Sequence, residues 1–196
     1  MKKNLFAILM VFSSLSVFSQ NGSSNWNRST ATYTNPIHKI TWKLIDELDW
    51  VNRPILEKGT LLKVRNEETS ILVKLHANKY AGENGDAWDL YSEKEDPQLE
   101  KMHKQQAQHN GGMTYIGTKT IKSQMCGIHA LKKRVDMKKY IPEQNQDAHC
   151  IEIGYIFCKG NHVYIASVMC LVVLEEEVDL FERLATQIFN GFNITE

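Results

Sequence analysis

The most regular spacing of apolar residues in the 196-residue chain lies near its C-terminus. Val178, Phe181, Ala185, Ile188 and Phe192 recur at intervals of three and four, and Leu184 and Phe189 widen the stripe. That one-sided pattern predicts an amphipathic helix, with Glu175, Glu176 and Glu177 where negative charge suits a helix start. Upstream the period shortens. "TLLKVRN" (60–66) and "TSILVKLHA" (69–77) are rich in branched apolar residues and predict a hairpin around Glu67-Glu68. Three further strand-like runs follow at 113–121, 126–137 and 150–174, the last being a hairpin in itself. Between the two groups, Asp96 reads as an N-cap, Pro97 as the first helical residue and Gly111-Gly112 as a stop. Residues 37–50 fit two periods: Ile37, Ile40, Leu44 and Leu48 a helix, or Ile40, Trp42 and Leu44 a strand.

This order predicts an α+β fold: an antiparallel sheet flanked by helices, with a long C-terminal amphipathic helix packed on the sheet. Residues 37–196 read as a single domain of that kind. Residues 20–36 are polar, with little to bury beyond Trp26 and Tyr33, and read as a flexible arm. Residues 1–19 carry Lys2-Lys3, a short apolar run and small residues at a cut after Ser19 or Gln20. That is the pattern of a cleaved signal peptide of bacterial style, which predicts a periplasmic or secreted protein. The apolar run is shorter than the roughly 20 residues of a membrane span, so no span is expected after cleavage.

Charge narrows the partners. Lysine plus arginine equal aspartate plus glutamate at 23 each, so no global field draws the chain to nucleic acid. The expected partner is a protein or a component of the cell envelope.

The candidate chemistry centres on four cysteines, three of them within "HCIEIGYIFCKGNHVYIASVMCLVV" (149–173). If Lys159-Gly160-Asn161 is the turn, Cys158 faces His162 and Cys150 lies across from Cys170; the neighbouring strand brings Cys126 near Cys158. An exported chain with an even cysteine count then suggests disulfides Cys126–Cys158 and Cys150–Cys170, although a one-residue slip would move each partner to the other face. Two other readings stay open: buried thiols acting as small apolar groups, or a thiol- or zinc-dependent site at Cys126, Cys158 and His162. Against the last, residues three apart on a strand point to opposite faces, and Cys158 with His162 gives two ligands where a closed zinc site takes four.

Nothing else assembles a catalytic set. Ser167 has no G-x-S-x-G elbow, and no H-E-x-x-H, P-loop or G-x-G-x-x-G occurs, so no cofactor is expected. The best surface candidate is the loop at 78–88 with Tyr80, Trp88 and nearby Tyr91, either as a binding surface or as the mouth of a small-ligand cleft.

The hairpin "TLLKVRN…TSILVKLHA", the helix "DPQLEKMHKQQAQHNGG", the run "MTYIGTKTIKSQMCGIHALKK" and the closing "LFERLATQIFNGF" together resemble the PsbP-like (PsbP/DcrB-type) α/β sandwich superfamily in layout, over roughly residues 40–192. The resemblance implies an antiparallel sheet packed between helices and a non-catalytic accessory or binding role, with no shared active site to carry over. The cysteines depart from it.

Overall fold

A computed structural model describes residues 25–79, 85–91, 97–109, 113–142 and 145–195. Along the chain run β1 (Trp26–Asn27), β2 (Thr32–Asn35), β3 (Ile40–Lys43), β4 (Trp50–Asn52), β5 (Thr60–Asn66), β6 (Ile71–Lys79), α1 (Pro97–His109), β7 (Thr114–Met125), β8 (Ile128–Ile141), β9 (Gln146–Lys159), β10 (His162–Val173), α2 (Val178–Asn190) and β11 (Phe192–Ile194). The signal-peptide segment lies outside the described residues.

Seven strands form one antiparallel sheet in the order β4-β5-β6-β10-β9-β8-β7. Alternation along each strand sorts its side chains between two faces. Ile151, Ile153 and Phe157 of β9 enter the main core, whereas Cys150 and Cys158 of the same strand do not. The inner face carries α2, as the periodicity predicts: Phe181, Ala185 and Ile188 are buried, and α2 lies along β9 and β10.

The helix shares that face with a second, four-stranded sheet, ordered β1-β2-β3-β11, which the sequence pattern did not predict. It corrects the reading of residues 20–36 as a flexible arm for the part that is described. Residues 26–35 include β1 and β2, and Tyr33 is fully buried (0% exposed). The arm's few apolar groups suffice because β2 pairs with β3, so partners distant in sequence supply the rest of the buried surface. The ambiguous stretch 37–50 resolves as strand at Ile40–Lys43, where Trp42 is also fully buried. Its indole Nε1 donates to the carbonyl of Ile188 at 2.8 Å, tying the small sheet to α2. Phe192, expected on the helix stripe, lies one residue past Gly191 and starts β11, where it packs edge-on to Trp42 and Phe157.

Among the described residues, the outer face has two separate apolar patches. Near α1, Ala107 packs with Val135, Met137, Cys150 and Met169. Farther along, a short 3₁₀ turn, Ala87–Leu90, covers Leu131, Cys158 and Val163.

Candidate binding surface around Trp88

The turn over the second patch is built by Asp86. Its Oδ1 accepts from the backbone N–H of Trp88 at 2.8 Å, an N-cap that starts the 3₁₀ turn. Its Oδ2 sits 2.7 Å from Nδ1 of His129 on β8. An ionised carboxylate only accepts, so the ring nitrogen donates. His129 in turn lies flat on Trp88, with ring centroids 3.6 Å apart and planes 3° from parallel. Trp88 Nε1 donates to the carbonyls of Ser123 on β7 (3.0 Å) and Ala130 on β8 (3.1 Å). Lys122 Nζ hangs over both the Trp88 ring (5.5 Å) and the Tyr91 ring (5.4 Å), within cation–π range.

One carboxylate thus fixes the turn and the imidazole, the imidazole fixes the indole, and the lysine caps the two aromatic rings. The side chains of Asp86 and His129 each remain 41% exposed. The His129 contact, then the Trp88 N–H, hold the Asp86 carboxyl below its usual pKa. Of the residues named from the sequence, Trp88 and Tyr91 meet here, whereas Tyr80 lies outside the described residues. Asp86, His129 and Lys122 are members the sequence reading missed. Asp86 two residues before Trp88 is the only local signal; pairing of β7 with β8 brings the other two.

The cysteines need correction. The turn between β9 and β10 is the two-residue Gly160-Asn161, with Gly160 at φ +57°, so Lys159 pairs with His162. That slip of one residue places Cys158 opposite Val163 and Cys170 opposite Ile151. Cys150 and Cys170 then point to opposite faces, the first beside Met137 and Met169, the second into the main core. Cys126 occupies the β7–β8 turn at φ +51°, its Sγ directed at the Phe192 carbonyl at 3.3 Å. Neither proposed bridge forms, and all four cysteines are free thiols. Burial pushes the Cys150 thiol up to about 12 and the Cys158 thiol up to about 11, with nearby carboxylates adding to each. Burial also raises that of Cys126.

Nor do Cys126, Cys158 and His162 converge. Cys158 belongs to the outer patch, whereas Cys126 and His162 lie on the inner side, against Phe192 and against His38 respectively. Among the described residues no group of three or more His, Cys, Asp or Glu is placed to hold a metal ion. The same residues contain no helix long and apolar enough to cross a membrane.

No family model matches the chain, and no curated protein matches its sequence. Among solved structures, it is similar to cyanobacterial PsbP (CyanoP) from Synechocystis sp. PCC 6803 at 9% identity and a TM-score of 0.54, over 90% of this chain and 98% of that one. A protein from Bacteroides thetaiotaomicron aligns at 10% identity and a TM-score of 0.41, over 87% of this chain and half of that one. The layout read from the sequence and the likeness to CyanoP agree: the fold is PsbP-like.

Proposed function

We propose that this chain is an exported, non-catalytic binding domain whose contact surface is the Asp86–Trp88–His129–Lys122–Tyr91 cluster, and that its partner is a protein or envelope component. The observation that supports this most is the state of that cluster: aromatic and charged side chains held in fixed positions, yet partly open to solvent. Trp88 and Tyr91 pack on the patch around Leu131, Cys158 and Val163 on one side and are only part-buried, which leaves surface for a partner to meet. Here a tryptophan and a tyrosine, residue types that anchor interfaces, are already packed on the sheet, so little of their side-chain freedom is left to lose on binding. Cys150 and Cys158 fit a packing role, since burial raises the pKa of both thiols and leaves little nucleophilic thiolate at neutral pH. The resemblance to the PsbP-like superfamily is in keeping with a binding role, and the N-terminal segment with export.

The test is comparative capture from the cell envelope. Wild-type protein and the variant Lys122→Glu/Tyr91→Ala are immobilised side by side, and their circular dichroism and melting are compared first. The reading predicts a partner retained by the wild type and lost by the folded variant. Equal retention by both would remove this surface from the account.

A further inference from the structure

His162 was singled out in the sequence as a possible ligand beside Cys158, but the structure gives it a different neighbour. The turn between β2 and β3 carries His38 onto the start of β10, where its ring meets that of His162 edge-on, with centroids 5.1 Å apart and planes at 88°. We propose that His38 and His162 form an open two-imidazole site for a divalent transition-metal ion that favours nitrogen ligands, of the Ni²⁺, Cu²⁺ or Zn²⁺ class.

Separation, support and donor type each favour the assignment. Two imidazoles bound to one ion at metal–nitrogen distances near 2.0–2.1 Å, with a roughly tetrahedral angle between them, have centroids about 5 Å apart. The observed 5.1 Å separation matches that spacing. Support comes from Tyr164, whose hydroxyl lies 2.8 Å from His38 Nδ1. A hydrogen bond at one ring nitrogen fixes the ring and leaves the other, Nε2, as the ligand atom, the usual outer-shell arrangement of a metal-binding histidine. Tyr164 is itself buried and stacked on Phe157 at 5.1 Å and 9°. The turn is held as well, since Asn35 Oδ1 accepts from the backbone N–H groups of Ile37 and His38, both at 3.1 Å.

Imidazole donors select Cu, Ni and Zn and reject Mg²⁺ and Ca²⁺, which take oxygen. With two protein ligands the remaining positions fall to water or to a carboxylate of a docked partner. An ion here joins the small sheet to the large one across the inner face, so binding stabilises the fold by mass action.

The probe is Ni²⁺ added to untagged, full-length protein, because nickel favours imidazole and its paramagnetism broadens nearby resonances. Expected are saturable binding of one ion per chain, a rise in melting temperature reversed by chelator, and broadening centred on His38 and His162. His38→Gln and His162→Gln each weaken binding by roughly tenfold or more, and Tyr164→Phe by about tenfold through loss of the outer-shell bond. His149→Gln, at the far end of the β9–β10 hairpin, leaves it unchanged. Absence of saturable binding, persistence in the His38→Gln/His162→Gln double variant, or loss on His149→Gln would each overturn the assignment.

Discussion

Asp86 gives one carboxylate oxygen to the backbone of Trp88 and the other to His129, so the whole cluster depends on its charge. Its pKa lies below the ordinary value, first through His129 and then through the Trp88 N–H. A carboxyl depressed in the folded state contributes stability that is fully present above its unfolded pKa and is lost as pH falls through the folded one. Denaturant melts taken at pH 6 and at pH 3 should therefore show a steeper acid loss in the wild type than in Asp86→Asn; parallel losses would mean the contact is idle. Trp88→Ala removes the stack and leaves the Ser123 and Ala130 carbonyls without the indole donor. Because the ring is only half-buried, the expected cost is about 2 kcal/mol, below the range for fully buried tryptophan, and urea denaturation measures it. Thiol reactivity gives a separate check at this scale. At pH 8 in the folded protein, iodoacetamide should modify Cys126 first, since it is the exposed thiol, and leave Cys150 and Cys158 intact until unfolding. Early alkylation of Cys150, read by mass spectrometry, would contradict its placement under α1.

Elements with strong local signals were legible in the sequence, and their mutual registers were not. The α2 stripe at Val178, Phe181, Ala185 and Ile188 is a local property, and so is the Pro97 start of α1. The hairpin of β5 and β6 was equally plain, its second strand running two residues past the reading, to Lys79. The β9–β10 register, by contrast, depended on whether Lys159 belonged to the turn, and both choices satisfy the same apolar pattern. Gly160 at φ +57° decides for two residues, and with that the positions opposite Cys158 and Cys170 change. The β1–β2 segment was missed because its polar residues bury little by themselves; Tyr33 becomes core only through pairing with β3. His129 and Lys122 were missed for a similar reason, lying some forty residues from Asp86 and reaching it only across the sheet. The joint between α2 and β11 yields a sharp prediction. A Cβ at Gly191 would sit 1.8 Å from the Lys43 carbonyl oxygen, backbone that pairs the small sheet with the helix end. Gly191→Ala should thus cost well over the ~1–3 kcal/mol typical of overpacking. Gly160→Ala, with open space around it, should cost only about 1 kcal/mol for its positive φ. Equal effects on thermal unfolding would show that the small sheet is not seated on the helix end.

At the scale of the molecule, the two faces of the large sheet are covered differently. The inner face carries α2 and the small sheet over one continuous core, whereas the outer face has two patches covered by α1 and by the Trp88 turn. β7 closes the sheet as a long edge strand with Ile116 and Ile121 half-exposed. Lys119, Lys122 and the irregularity between Tyr115 and Gly117 guard it against pairing with another chain. Lys119→Val should raise light scattering on heating, and no change would show that the irregularity suffices alone. On the proposed function, a partner meets the outer face beside β7, at the Trp88 cluster. The most direct test places a photo-crosslinking residue at Gln124, exposed on β7 beside the cluster, and in a separate variant at the exposed Leu180 of α2, with irradiation in cells that export the protein. One discrete adduct is expected from position 124 and none from position 180. An adduct from position 180 with none from 124 would put the partner on the helix side and contradict the proposed surface.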